Sequence, residues 1–260
     1  MMEGEAAVAP APVQQKGFVE LFSETFRFFG SNFVMIASII FPVFFVVNIV
    51  LPFLQDYIPD LAGILGLATG NEYLDDIIND VLGGLLIGIV ALIMGGIAEI
   101  ALIKAVTDQL SGTPVSLADA FSTGVSLLPF YAITGILFLV IDGIGWILVL
   151  IPGIIIMVYW GFWGMAVVLR DQHTFGAFSY SYRLVSGNFL RILLYWIALL
   201  ILFFVLGIIW DPISGAIVQG AEGEMVYNAT SALAAALWRT VETIYAIFLI
   251  ILFLDLEKTR

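Results

Sequence analysis

VLRDQHTFGAFSYSYRLVSGNFLR, residues 168–191, holds three of the nine Lys and Arg residues of the chain (Arg170, Arg183 and Arg191) and its single histidine, His173. Apolar runs long enough to cross a bilayer flank it on both sides. A basic, polar segment between two such runs reads as a loop on the face of the membrane that retains positive charge. The same accounting, carried outward, places the rest of the chain.

Hydrophobic residues make up 62% of the 260 residues and charged residues 12%, with a mean hydropathy of +1.09. So little polar surface cannot cover such a core in water, and lipid is the implied solvent. The net charge of −12 leaves no basic patch to neutralise phosphates, which argues against nucleic acid as a partner. The absence of cysteine removes disulfides, thiol catalysis and cysteine-ligated metal.

MMEGEAAVAPAPVQQ, residues 1–15, lacks the basic start and apolar run of a secretory signal. It reads as a disordered tail, and 16–260 as a single six-span membrane domain. The spans fall at about 33–54, 81–105, 129–150, 152–170, 189–210 and 231–254. Residues 129–170 form one apolar run; as a helix it would measure ~63 Å, twice the hydrocarbon thickness, so it must fold back. Pro152-Gly153 is the natural corner, since proline is tolerated in the first turn of a helix.

This topology sends Lys16, Arg27, Lys104, Arg170, Arg183, Arg191, Lys258 and Arg260 to one side. The other side receives 55–80, the corner near 151 and 211–230, which contain Asp56, Asp60, Glu72, Asp75, Asp76, Asp80, Asp211, Glu222 and Glu224 but no Lys or Arg. The positive-inside rule then predicts a multi-pass protein of the cytoplasmic membrane with both termini cytoplasmic. His173 is expected to be a solvated loop residue. The acidic 55–80 segment is expected to be a solvated outer loop.

FSETFRFFGSNFVMI (22–36) and FSYSYRLVSGNFLRI (178–192) agree at six of fifteen ungapped positions: Phe22/Phe178, Ser23/Ser179, Arg27/Arg183, Asn32/Asn188, Phe33/Phe189 and Ile36/Ile192. A weaker copy, AFSTGVSLLPF, occupies 120–130. In each copy apolar residues recur at helical spacing, as in Phe18, Phe22, Phe26 and Phe29. The pattern predicts an interfacial amphipathic helix before each odd-numbered span, with Gly30 and Gly187 as helix stops. The fold class is therefore an all-α integral membrane protein, with six transmembrane helices as three same-orientation hairpins.

Four charges fall within spans: Glu99, Asp142, Arg239 and Glu242. Each costs roughly 2.5–3.5 kcal/mol near a helix centre on insertion scales and needs a partner or a task. Asp142 and Arg239 sit at similar depth, so an interhelical pair between them is expected; Arg239 and Glu242 are also i,i+3 neighbours. Glu99 is expected to share its environment with Lys104. Such charges could form a structural tie or a polar pathway. Trp146, Trp160, Trp163, Trp210 and Trp238 read as interface-belt residues, and Gly161 and Gly164 as close-packing positions.

The run IPGIIIMVYWGFWGMAVVL (151–169), followed by a polar break and an amphipathic helix ending in YRLVSGNFLRI (182–192), resembles the YciC-like family. That family includes the membrane domain attached to some glycerophosphoryl diester phosphodiesterases. Pro152, Gly153, Arg183, Gly187 and Asn188 carry the resemblance, and GTPVSLADAF (112–121) is similar to its Gly-x-Pro-x-Ser element. The resemblance implies a six-span helical membrane domain of mostly unassigned function, with any catalysis in a separate soluble barrel. No such barrel is expected in these residues, and no catalytic residue is carried over.

No histidine pair, glycine-rich phosphate loop or metal-ligand cluster is present in the sequence, so no catalytic, cofactor-binding or metal residue is expected. Two functional readings remain. In the first, a non-enzymatic membrane protein supports membrane organisation or a partner complex, with lipids and a membrane protein as partners. In the second, a small-solute or lipid transporter or channel uses Asp142, Arg239 and Glu242. Oligomeric state is left open by the sequence.

Overall fold

A computed structural model describes residues 15–57, 61–148 and 150–259, and every regular element among them is a helix. In chain order these are α1 (Phe18–Ser31), α2 (Phe33–Tyr57), α3 (Leu61–Ile64), α4 (Glu72–Leu110), α5 (Leu117–Leu148), α6 (Leu150–Trp160), α7 (Trp163–Arg170), α8 (Phe175–Val185), α9 (Phe189–Val218) and α10 (Glu224–Lys258). Six stretches are long and apolar enough to cross a membrane: α2, α4, α5, α6 with α7, α9 and α10. The chain is an all-α, multi-pass membrane protein. The tail expected at 1–15 lies outside the described residues apart from Gln15.

The two strong repeat copies adopt the same local structure. Leu21, Thr25 and Phe28 are the buried positions of α1, and the residues 156 further on, Ala177, Ser181 and Leu184, are buried in α8. Asn32 and Asn188 both break the helix, with φ −119° in each and ψ 19° and 11°. Their carbonyls accept from Ile36 and Ile192, both at 3.0 Å, and both isoleucines are fully buried. The stop itself differs. Gly187 takes φ +89°, which suits a residue without Cβ, whereas Gly30 lies inside α1, so its expected role as a stop is corrected.

The middle copy departs further. Residues 117–128 do not form a separate helix but run straight into span 3, through Pro129. Proline removes one backbone hydrogen bond there, and the helix continues because its neighbours hold it. The other helices also overrun their apolar cores. Glu72–Leu110 comprises 39 residues, about 58 Å of helix, and draws Asp75, Asp76 and Asp80 into its first turns. Asn71 caps it, accepting from Tyr73 and Leu74, and Asp75 accepts from the Thr69 backbone at 2.7 Å. The expected outer loops at 55–80 and 211–230 are therefore largely helical. Hydropathy marks where a span is apolar, whereas helical hydrogen bonding continues until a cap or glycine ends it.

The spans close into a ring. Each hairpin packs on itself (α2 on α4, α5 on α6, α9 on α10), and neighbouring hairpins meet through α4 with α5, α10 with α2, and α6 with α9. The first two seams are extensive. The third is thin: Trp196 covers Gly161, and Tyr159 stacks on Phe189 at 5.1 Å. The segments before the odd-numbered spans follow the same cycle. α8 packs on α6 and α7, α1 packs on α10, and Gly124 and Leu128 of α5 lie against Ile97 and Gly96 of α4. Each thus lies on the return span of the preceding hairpin.

At the corner between α5 and α6, Pro152 sits in the first turn of α6, as expected for that position. Gly145 and Gly153 allow the two helices to touch; a Cβ on Gly145 would stand 3.1 Å from the Gly153 Cα. Span 4 is itself broken at Gly161-Phe162. Fully buried Ser181 mends the break, accepting from the Phe162 N–H at 3.1 Å and donating to the Tyr159 carbonyl at 2.8 Å. Backbone polar groups freed within a span need such a partner.

One end of the bundle is tied by charge. Asp255, 5% exposed, accepts from the Lys16 backbone N–H at 3.3 Å and from Arg191 at 3.1 Å. Arg191 also donates to the Lys16 carbonyl and the Gln15 side chain, and lies over the Tyr195 ring. Nearby, Glu257 receives both Arg170 and the Tyr180 hydroxyl. Burial, then the hydrogen bond and charge of Glu257, push the Tyr180 phenol above its ordinary pKa, so it remains a donor. Two of the three arginines that cluster in 168–191 are thus interhelical ties, while Arg183 is exposed. His173 is partly buried, stacked on Phe130 at 4.1 Å with Nε2 3.2 Å from Asp171. The expected solvated loop histidine is corrected accordingly, because the loop folds back onto α5 through Thr174 N–H to Thr134 Oγ1.

Candidate functional site

The spans surround a partly open cavity of about 1140 Å³, bordered by residues of all six. Most of its wall is apolar or aromatic. Three charged side chains reach it: Glu99 from α4, and Arg239 and Glu242 from α10. These are three of the four intramembrane charges singled out from the sequence, brought to one place.

Arg239 donates to Glu242 at 2.6 Å, one turn along the same helix, and its guanidinium lies 4.7 Å from the centre of the Phe44 ring of α2. Glu99 stands close enough to Tyr131 and to Arg239 to interact electrostatically with both. It is surrounded by protein, yet its side chain is accessible because it borders the cavity. Glycine makes this arrangement possible: a Cβ at Gly164 would stand 2.9 Å from the Tyr131 oxygen, and one at Gly135 would stand 3.0 Å from the Trp163 ring. Tyr131 and Trp163 then pack 4.6 Å apart beside Glu99. The glycine in span 4 read as a packing position shapes the wall of the site.

The expected Asp142–Arg239 pair does not form. Asp142 accepts from Trp146 Nε1 at 3.0 Å, and Arg239 turns to Glu242. Each charge finds a partner one turn away on its own helix, which needs no alignment of two spans. Lys104 likewise pairs with Asp108 at 2.5 Å, so it does not share the environment of Glu99 as expected. Three of the tryptophans read as belt residues, Trp146, Trp163 and Trp238, border the cavity instead. Sequence reasoning did not single out Tyr131, Tyr245 or Trp196. Their helical spacing alone does not reveal that they face an interior space. The family-like residues Pro152, Gly153, Arg183, Gly187 and Asn188 stand apart from the charge cluster and serve the corner and the α8–α9 turn. Among the described residues, no three His, Asp or Glu side chains stand close enough to hold a metal.

A thermodynamic cycle tests the revised pairing. Arg239→Leu and Glu242→Gln are expected to couple by about 0.5–3 kcal/mol in detergent unfolding, as contacting residues do. Arg239→Leu and Asp142→Asn should be additive within about 0.5 kcal/mol. Coupling of the second pair and not the first would restore the interhelical tie.

Six helical spans arranged round a partly open, partly charged cavity define a multi-pass membrane protein with a cavity among its spans. The chain belongs to the family described as Domain of unknown function (DUF7847), whose model matches residues 77–254. No curated protein and no solved structure matches the chain.

Proposed function

We propose that this protein is a non-enzymatic carrier for amphiphiles, which enter its chamber sideways from the bilayer. The observation that carries the reading is the cavity itself, which places Glu99, Arg239 and Glu242 in one apolar chamber at membrane depth. A structural tie alone would need no such volume, and it exceeds the roughly 300–1,000 Å³ of ordinary small-molecule pockets. Of the two functions open from the sequence, the transporter reading is favoured, with Glu99 taking the place of Asp142.

The thin α6–α9 seam supplies the route. Gly161 against Trp196 and Tyr159 against Phe189 close it at one end, and Ile154, Met157, Ile197 and Leu200 of the two helices border the cavity. α9 is the least buried of the spans, which suits a helix that moves aside. The protein is placed in the cytoplasmic membrane with both termini cytoplasmic, on the bias of Lys and Arg to one side. Amphipathic segments at that face serve as interfacial anchors, and kinship with the YciC-like membrane domains, through Pro152, Gly153, Arg183, Gly187 and Asn188, belongs to the same proposal.

Reconstituted into liposomes, the protein is expected to speed transfer of a fluorescent single-tailed amphiphile between leaflets. Gly95→Phe and Ala132→Phe, which fill the chamber from α4 and α5, should return the rate to that of protein-free liposomes. A Cβ at Gly95 meets only the tip of Phe44, at 3.7 Å, so the first substitution is accommodated by space already present. Equal rates with and without protein, or full transfer by both filled variants, would sink the reading.

A further inference from the structure

The chamber carries an unbalanced charge. Two carboxylates, Glu99 and Glu242, face one guanidinium, Arg239, so the ionised cluster sums to −1. Arg239 is committed twice, to Glu242 at 2.6 Å and to the face of Phe44. Glu99 lies near Tyr131, and no salt bridge reaches it among the described residues. A carboxylate facing an apolar cavity within a span, without its own cation, is the natural seat for a cation brought by the ligand.

The surroundings favour an organic cation over a bare metal ion. Tyr131, packed on Trp163 at 4.6 Å, lies beside the carboxylate, and Tyr245 of α10 lies close enough to feel its charge. Aromatic faces attract ammonium groups, most strongly where water is excluded. A hydrated metal ion would instead need several oxygen ligands, and no such group stands together among the described residues. Beyond the charged cluster the wall is apolar, and it runs to the α6–α9 seam. An alkyl tail fits there while a positive headgroup reaches Glu99.

We propose that Glu99 is the headgroup site for a monocationic amphiphile, a long-chain amine or quaternary ammonium compound, with Tyr131 and Trp163 as its aromatic support. This rests on the carrier reading and adds the charge of the cargo to it. Glu99 receives the ammonium, Arg239 remains neutralised by Glu242, and the tail lies between α6 and α9. An anionic amphiphile is disfavoured by the same sum of charges.

The test uses the full chain in nanodiscs of neutral phosphatidylcholine and nitroxide-labelled twelve-carbon amphiphiles bearing an ammonium, a hydroxyl or a sulfate. Quenching of tryptophan fluorescence reads occupancy, since Trp146, Trp163, Trp196 and Trp238 border the chamber. The Gly95→Phe protein defines the background from lipid-exposed tryptophans. The ammonium probe is expected to quench at a concentration about tenfold below the hydroxyl probe, the worth of one retained charge contact. Glu99→Gln should bring the two probes together, while Glu99→Asp, which keeps the charge, should retain the preference. Equal quenching by ammonium and hydroxyl probes in the unsubstituted protein overturns the headgroup assignment and leaves the carrier intact. So does a preference that survives Glu99→Gln, or a stronger response to the sulfate. If no probe quenches the unsubstituted protein beyond the Gly95→Phe background, the carrier reading itself falls.

Discussion

Asp255→Ala is expected to destabilise the protein by roughly 3–5 kcal/mol, the usual cost of breaking a buried ion pair from one side. Asp255 is 5% exposed and Arg191 is 19% exposed, so removal of the carboxylate leaves a guanidinium with little water to replace it. The Lys16 N–H loses its acceptor in the same change, and with it the tie between the start of α1 and the end of α10. Asp255→Asn keeps an acceptor oxygen but not the charge, and should fall between the two. Exposed Glu20→Ala is the reference, within about 0.5 kcal/mol of the unsubstituted protein. The measurement is the midpoint of thermal unfolding in a mild detergent. If Asp255→Ala melts with Glu20→Ala, the clasp contributes nothing.

Gly161→Leu follows closely. A Cβ at this position would stand 2.5 Å from the Trp196 ring and 2.8 Å from the Met157 carbonyl, so even the first added carbon requires a shift. Overpacking costs about 1–3 kcal/mol, and more where a large ring cannot turn away. Trp196 is held on its other side by Tyr245, 6.2 Å away and edge-on. Trp196→Leu in the same chain should return part of the loss, and the coupling should reach about 0.5–3 kcal/mol. Independence of the two changes would mean that α9 does not rest on the break in span 4. Because Trp196 also borders the cavity, the single Gly161 variant should alter transfer as well as stability.

The repeat is legible because it is written twice in residues that hold the structure. Asn32 and Asn188 break their helices with the same backbone angles, and Ile36 and Ile192 follow into the core. The six spans are legible for a similar reason, since hydropathy reports contact with lipid directly. Depth along a span can be counted from its ends, which is why Asp142 and Arg239 read as a pair. Rotation about the helix axis cannot be counted in a helix apolar all round, where no polar stripe marks the inner face. Hence Asp142 bonds to Trp146, Arg239 to Glu242, and the two do not meet. The chamber is hidden by the same ambiguity: Tyr131, Trp163 and Trp196 are as acceptable facing lipid as facing one another. The overruns of α4, α9 and α10 escape a hydropathy reading because a helix does not stop where its apolar residues do.

The ring also sets an order of assembly. α2 finds its most extensive neighbour in α10, the last span to be made, and the Lys16–Asp255 contact joins residues 239 apart. Hairpins one and two can settle against each other as they leave the ribosome, but α2 must wait with one flank bathed in lipid until the final helix arrives. Closure of so long a loop is slow relative to local packing. The helix that completes the wall is also the one that delivers Arg239 and Glu242, so the chamber acquires its charged pair at the moment it acquires its last side. A chain halted before α10 would carry Glu99 with neither Arg239 nor Glu242 in place, an incomplete charge cluster that only the last span completes.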